Sequence, residues 1–157
     1  MALNHPTVVR VTEALRAVGA TGDPIALDDA APTAAAAAAQ LGCEVGAIAN
    51  SLVFEADGHP LLVMTSGAHR VDTLKVASVL GVERVRRADA DFVRKHTGMA
   101  IGGVAPVGHP HPLRTVVDVD LARHPVVWAA AGHPHTVFPT SYDELLRITE
   151  GQPAEVG

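Results

Sequence analysis

The segment from Gly102 to Gly108 reads Gly-Gly-Val-Ala-Pro-Val-Gly, an apolar stretch that holds three glycines and one proline. Glycine lets the backbone approach a ligand closely, and proline fixes φ and removes a competing N–H donor. Such a loop can present main-chain N–H groups to a carbonyl oxygen or an oxyanion. Clusters of this kind are also common in ordinary turns, so the interpretation depends on what other segments supply.

A second segment, Ala47 to Phe54, places two polar residues, Asn50 and Ser51, inside an apolar strand. Neighbouring residues of a strand point to opposite faces. A buried polar group without a hydrogen bond costs about 1–3 kcal/mol, so at least one of the two is satisfied by nearby backbone or faces a ligand. Ser51 lacks the Gly-x-Ser-x-Gly context of a nucleophile, and the glycine loop lacks the Gly-Lys-Ser/Thr of a phosphate-binding loop.

Histidine is frequent, with nine residues, and four of them form two Gly-His-Pro-His segments, 108–111 and 132–135. Imidazoles at positions i and i+2 lie on the same face of an extended chain, and two such pairs could bind Zn²⁺. The alternative is that these are solvated turn histidines beside prolines. Because the spacing supplies no third kind of ligand and no His-Glu-x-x-His motif, we expect no metal and no cofactor.

The formal net charge of −5 gives the chain no general attraction for nucleic acid. An RNA partner would need a local basic patch. One candidate lies between Gly81 and His96 and consists of Arg84, Arg86, Arg87, Arg94 and Lys95. Acidic residues are interleaved with this patch, so a solvated surface is the alternative interpretation.

Length and composition favour one folded domain spanning residues 1–157, because 157 residues with 48% hydrophobic content suit a single core. The single cysteine, Cys43, excludes an internal disulfide framework. The sequence has no charged segment followed by an apolar run at its start, and no stretch of about 18 apolar residues. We therefore expect no signal peptide, no membrane span and a cytoplasmic location.

The hydrophobic pattern predicts helices and strands interspersed along the chain. Asn4 is expected to cap the first helix and Ser141 the last, and the tail from Gly151 is expected to fray. Asp57-Gly58 predicts a hairpin between strands at 45–54 and 61–65. Because several strands are joined by hairpin-length links, we expect an α+β fold, with a mixed, largely antiparallel sheet flanked by helices.

Taken together, these segments resemble the YbaK / prolyl-tRNA-synthetase-associated domain family, whose members are aminoacyl-tRNA deacylases. The resemblance covers roughly residues 25–150 and depends on the order and spacing of its motifs. They include a strand ending in Ser-Leu-Val, a Gly-x-x-x-Pro loop and an Ala-Gly step. The matching segments are 48–54, 66–72, 80–87, 97–98, 102–108, 126–127, 131–132 and 141–149.

The resemblance implies a freestanding trans-editing enzyme that hydrolyses the ester at the acceptor end of a mischarged tRNA, with water as nucleophile. It implies catalytic roles for Asn50, Gly102 and Pro106. The positions implied to bind substrate are Ser51, Gly103, Val104, Ala105, Gly132 and either His133 or His135.

One position departs from the family pattern: Asn50 stands where the family usually has a lysine, two residues before the Leu-Val step. An amide can form hydrogen bonds but has no charge, so the electrostatic part of a contact with the tRNA end is lost. A second hypothesis is therefore a non-catalytic module that binds an aminoacyl or nucleotide-like ligand. A third is a metal hydrolase built on the two His-Pro-His pairs.

Overall fold

The computed structural model describes residues 2–157. In this part of the chain the α-helices are α1 (Pro6–Ala17), α2 (Ala34–Leu41), α3 (Thr73–Leu80), α4 (Ala90–Thr97) and α5 (Tyr142–Thr149). The strands are β1 (Ile25–Ala26), β2 (Ile48–Ala56), β3 (His59–Ser66), β4 (Val85–Arg87), β5 (Arg114–Asp118), β6 (Val127–Ala130), β7 (Thr136–Thr140) and β8 (Gln152–Ala154). Short 3-10 helices cover Ala2–Asn4, Val45–Ala47 and Val119–Arg123.

The strands form one mixed sheet in the order β1-β7-β6-β2-β3-β5-β8, and β4 pairs with β2 off this path. The pairs β1–β7, β6–β7, β2–β3 and β2–β4 are antiparallel, whereas β2–β6, β3–β5 and β5–β8 are parallel. The expected α+β class with a mixed sheet is confirmed. Strand β2 lies in the middle of the sheet, which gives its polar residues a rigid position.

The hairpin that joins β2 to β3 turns at Asp57 and Gly58, whose φ angles are 49° and 88°. Positive φ at both central residues is the geometry that an Asp-Gly turn favours. This turn fixes the register of the two strands and places Asn50 opposite Thr65. The predicted hairpin is therefore confirmed.

The two faces of the sheet pack against different helices. Ala49, Val53 and Leu62 belong to a core that also contains residues of α1, α4 and α5 and the glycine loop. Phe54 and Val63 belong to a second core built with α3. Successive side chains of a strand point to opposite faces of the sheet, and this alternation separates the two cores. It also buries apolar side chains of the glycine loop and so anchors the loop to the sheet.

Two expectations about the chain ends were wrong. The N-cap of α1 is His5, whose Nδ1 accepts from the Thr7 N–H, and Asn4 lies in the preceding 3-10 helix. The tail does not fray, because β8 pairs with β5 and the side chain of Val156 is buried in the second core. Apolar burial and strand pairing outweigh the general tendency of termini to be loose. Within residues 2–157, no helix is long and apolar enough to cross a membrane.

Candidate active site

A narrow cleft opens beside the start of β2. Asn50 and Ser51 line it from β2, Gly102 and Val104 from the glycine loop, and Thr33 from the N-terminus of α2. It continues into a wider lobe that shares several of these residues and reaches His69, Arg70 and Arg87. The two segments singled out in the sequence are 52 residues apart and meet in this cleft.

The structure distinguishes the two polar residues of β2. The Ser51 Oγ lies 3.1 Å from the Met64 Sδ and donates to it, so its polar group has a partner inside the protein. The half-buried Asn50 amide forms no hydrogen bond with any residue between 2 and 157 and faces the cleft. Of the two side chains, Asn50 is the one available to a ligand.

The glycine loop uses its backbone N–H groups alternately. The Gly103 N–H donates to the Ala100 carbonyl at 3.0 Å. The Ala105 N–H donates to the Met99 Sδ at 3.3 Å. The N–H groups of Gly102 and Val104 have no acceptor in the described part of the chain, and both residues line the cleft. Two main-chain donors are thus left for a ligand.

Close packing fixes the position of this loop. Gly102 has φ of +91°, a region that favours glycine. A Cβ placed on Gly103 would lie 2.9–3.0 Å from backbone atoms of His133, which is closer than carbon atoms approach. The loop therefore crosses the segment after β6 backbone against backbone, and a side chain at residue 103 would separate them.

Not every residue predicted for the site lines the cleft. Asn50, Ser51, Gly102 and Val104 do. Ala105 is fully buried in the core behind the loop, and Pro106 faces a different hollow on the other side. Gly103 and Gly132 pack against neighbouring backbone or side chains. The catalytic and binding roles of all these residues stay predictions.

The side chains of His133 and His135 point away from the cleft. They line a neighbouring hollow with Asn4 and His5, whereas Pro134 and Thr136 line the cleft itself. The ring centroids of His5 and His133 are 5.1 Å apart, and those of His133 and His135 are 5.4 Å apart. Burial lowers the pKa of His133, and the neighbouring His5 and His135 lower it further.

The two His-Pro-His pairs do not meet, because each lines a separate hollow. In the described residues, side chains with metal-binding spacing occur at His69, Asp118 and Asp120, which sequence reasoning missed. The buried Asp118 carboxylate already accepts from His69 and from the N–H groups of Ser66 and Asp120. This cluster connects residues 49 positions apart, so no spacing in the sequence could have indicated it.

Of the predicted basic patch, Arg87 lines the wider lobe of the cleft, and Arg70 joins it from the turn after β3. Arg86 instead pairs with Glu55 at 3.1 Å on the exposed surface. Exposed pairs of this kind contribute little to stability. Two positive side chains thus lie where the cleft widens, although the chain as a whole is acidic.

The profile of the aminoacyl-tRNA editing domain family matches residues 28–148. The chain therefore belongs to the aminoacyl-tRNA editing domain family, as the resemblance of its motifs indicates. It has the fold of a solved structure described as a proposed trans-editing enzyme for prolyl tRNA synthetase, with a TM-score of 0.90 and 40% identity over 96% of each chain.

Two curated relatives differ in length. The chain is 29% identical over 128 residues to the uncharacterised protein YwhH of Bacillus subtilis, covering 81% of both. It is 29% identical over 125 residues to a proline–tRNA ligase of Geobacter sulfurreducens, where the match covers 72% of this chain and 21% of the ligase. The chain thus matches about a fifth of the length of that ligase.

Proposed function

We propose that this protein hydrolyses the ester bond of mischarged aminoacyl-tRNA. The observation that carries the proposal is the convergence of three donors without protein partners, the Asn50 amide and the N–H groups of Gly102 and Val104, on one cleft of an editing domain. A carbonyl oxygen bound there would meet donors already in place before the reaction. Such preorganised donors contribute most when negative charge develops on the oxygen.

In the proposed reaction a water molecule attacks the carbonyl carbon of the aminoacyl ester. The carbonyl electrons move onto the oxygen, where the Gly102 and Val104 N–H groups stabilise the oxyanion. Collapse of this intermediate breaks the bond to the ribose oxygen, which takes up the proton that the attacking water has lost and leaves as the hydroxyl of the tRNA end, while the amino acid is released as its carboxylic acid. Asn50 orients the ribose or the attacking water by hydrogen bonds.

The narrow part of the cleft supports selection of the amino acid by size. Its walls combine short apolar side chains, among them Ala34, Ala37 and Ala130, with the larger Trp128. One methylene group in an apolar pocket changes binding by about 1–3 kcal/mol. The pocket fits a small side chain, and the ribose and the adjoining phosphates would extend toward Arg70 and Arg87.

The relatives and the charge distribution support tRNA as partner. The solved structure with the same fold is described as a proposed trans-editing enzyme for prolyl tRNA synthetase. A net charge of −5 makes a long-range attraction to RNA unfavourable, so contact would be confined to the acceptor end at the basic edge of the cleft.

A second candidate function is a binding module without catalysis, and Asn50 is the observation that favours it. The uncharged amide cannot replace the attraction that a lysine at this position exerts on a phosphate. Such a module would keep the cleft and bind an aminoacyl or nucleotide-like ligand without breaking its ester.

The deciding experiment is single-turnover hydrolysis of tRNAs mischarged with small amino acids, by the parent, Asn50→Ala and Asn50→Lys forms. One hydrogen bond between uncharged groups contributes about 0.5–1.5 kcal/mol, so Asn50→Ala should slow hydrolysis about 2- to 13-fold. Asn4→Ala is the matched control, because it removes the chain's other asparagine, which lies outside the cleft.

Three outcomes distinguish the candidates. A slow Asn50→Ala form with a normal Asn4→Ala form supports the enzyme. Binding without turnover in the parent, with activity gained in a folded Asn50→Lys form, supports the binding module. Equal rates in the parent and Asn50→Ala forms would remove Asn50 from the mechanism.

A further inference from the structure

His109 lies behind the glycine loop, on the side away from the cleft, and the proposed reaction gives it no role. Its Nε2 is 2.7 Å from the carbonyl oxygen of Ala105, four residues earlier. A carbonyl oxygen can only accept, so the proton of this hydrogen bond must lie on Nε2. The side chain is largely buried in a hollow that also contains His111, Arg147 and Glu150.

This hydrogen bond completes the set that holds residue 105. The N–H of Ala105 donates to Met99 Sδ, and its carbonyl accepts from His109. Two residues earlier in the loop, the N–H of Gly103 donates to the carbonyl of Ala100. The Gly103 and Ala105 N–H groups belong to the peptides just before and just after the one that carries the Val104 N–H. Because both of these peptides are held, they determine the direction in which the Val104 N–H points. Loss of the bond to His109 would free the Ala105 carbonyl, and with it the peptide between residues 105 and 106, to rotate beside the held Ala105 N–H.

The backbone before His109 makes this contact possible. Gly108 has φ of +87°, and a Cβ there would lie 3.2 Å from Val11 Cγ2 of α1. The turn at this glycine brings the imidazole back over the loop. His111, two residues later, is exposed instead and lies 3.4 Å from the ring of His96. The first His-Pro-His triplet, residues 109–111, therefore has one imidazole turned toward the glycine loop and one exposed on the surface.

We propose that His109 is a positioning residue, whose neutral imidazole fixes the Ala105 carbonyl and thereby helps to aim the Val104 N–H at the substrate carbonyl. The inference rests on the proposed function for its effect on turnover. Burial lowers the pKa of His109, against a smaller opposing effect of the Ala105 carbonyl, and the nearby His111 lowers it further. The ring therefore stays neutral at pH 7, with its single proton on Nε2.

The first test compares His109→Gln and His109→Phe in single-turnover and steady-state hydrolysis. Glutamine can place an N–H donor near the position of Nε2, and phenylalanine keeps the ring volume without a donor. Misplacing catalytic groups by about 1 Å can cost about 100-fold in rate. We expect kcat of His109→Phe to fall about 10- to 100-fold with KM within about twofold, and His109→Gln to recover most of the rate.

His111→Phe is the matched control, since it makes the same replacement at the exposed histidine of the triplet and should leave kcat unchanged. A folded His109→Phe form with the parent's kcat would overturn the inference. A His109→Gln form as slow as His109→Phe would also overturn it, because restoring the N–H donor would then have restored no activity.

A second set of measurements, by NMR, does not need activity. Nitrogen-15 NMR of the parent's imidazoles should show His109 as the neutral tautomer with the proton on Nε2, and the proton on Nδ1 would overturn the inference. In His109→Asn, the shorter amide cannot reach Ala105, and the amide signal of Val104 should shift or broaden. An unchanged signal there would also overturn it.

These readouts separate two failures. If the parent hydrolyses no ester, the proposed function fails, and the NMR measurements alone decide whether His109 fixes the loop. If the parent is active and His109→Phe is equally active, the inference fails and the proposed function stands.

Discussion

The two Gly-His-Pro-His segments, 108–111 and 132–135, have identical sequences and begin in the same way. Their glycines have φ of 87° and 105°, and a Cβ on either one would lie 3.1–3.2 Å from Cγ2 of Val11. One helix residue thus packs against both turns. From this common start, the two segments hold the glycine loop by different means.

The first segment acts through a side chain and the second through its backbone. His109 donates from Nε2 to the Ala105 carbonyl, whereas the backbone of His133 packs directly against Gly103. The His133 ring uses its other nitrogen, because Nδ1 accepts from the His135 N–H at 3.1 Å. Identical tetrapeptides therefore use opposite ring nitrogens, and the surrounding elements decide which.

The largest effect is expected where the second segment meets the loop. In Gly103→Ala, the new Cβ would collide with three backbone atoms of His133, which a side-chain rotation cannot relieve. Overpacking of this kind costs about 1–3 kcal/mol, and the shift of the loop should lower kcat about 100-fold. Thermal unfolding and single-turnover hydrolysis measure the two effects.

Gly58→Ala is the control for that variant, since Gly58 is open to solvent and its substitution brings only the strain of positive φ. It should keep the parent's turnover. Normal stability and turnover in Gly103→Ala would mean that the loop and the second segment are not in firm contact.

The next effect concerns the packing that the segments share on α1. Gly108→Ala and Gly132→Ala should each destabilise the protein by about 2 kcal/mol, from left-handed backbone strain and crowding against Val11. In the double variant of Gly108→Ala with Val11→Ala, the crowding against Val11 Cγ2 should disappear, so the two free energies of unfolding should not add. Strict additivity in denaturant unfolding would contradict contact with Val11.

A smaller effect is expected from pH. Burial lowers the pKa of His109 and of His133 in the folded protein. Below the ordinary histidine pKa of about 6.5, the unfolded chain binds more protons, so the stability contributed by these residues is full above that pH and is lost as pH falls. His109→Gln and His133→Gln should each flatten the decrease in unfolding free energy between about pH 7 and pH 5.

Removing one neighbouring imidazole makes the comparison sharper. His5 lowers the pKa of His133 but is not among the groups that affect His109. In His5→Gln, NMR titration should show a higher pKa for His133 and no change for His109. An equal response of both rings would show that they share an environment.

The smallest effect is expected at the second histidine of each segment. The exposed His111 and the half-buried His135 contribute no side-chain hydrogen bond to the glycine loop within residues 2–157. Substituting either residue by glutamine should change the unfolding free energy by less than about 0.5 kcal/mol and leave turnover unchanged. A decrease in turnover as large as that of a His109 variant would mean that the wrong histidine of the segment has been assigned to the contact with the glycine loop.

Local signals explain why much of the fold could be predicted. Asp57-Gly58 specifies its hairpin through backbone φ, and Ser141 caps α5 by accepting from the Glu144 N–H. The Glu144 side chain does not return to the Ser141 N–H as it would in a capping box, because its carboxylate accepts from the Thr21 N–H and the Thr140 hydroxyl instead. Thr140 is adjacent to Ser141, but Thr21 comes from a segment 123 positions away, which a pattern of four residues cannot include.

The site was predictable in part for the same reason. Asn50 and Gly102 stood out because a polar residue in an apolar strand and a glycine-rich turn are unusual locally. Which N–H groups of the loop are available depends on the two acceptors that occupy the others, Met99 Sδ and the Ala100 carbonyl, and no spacing in the sequence reveals these contacts.

The sequence by itself determined most of the secondary structure, the mixed sheet and the family, since these follow from periodicity, turn residues and the order of motifs. Tertiary structure alone decided that Ser51 is satisfied by Met64 while Asn50 faces the cleft. It also decided that one Gly-His-Pro-His segment holds the glycine loop with an imidazole and the other with its backbone. The physical reason is that a hydrogen bond or a close contact needs two groups. The sequence names one of them, and only the folded chain determines which distant group becomes its partner.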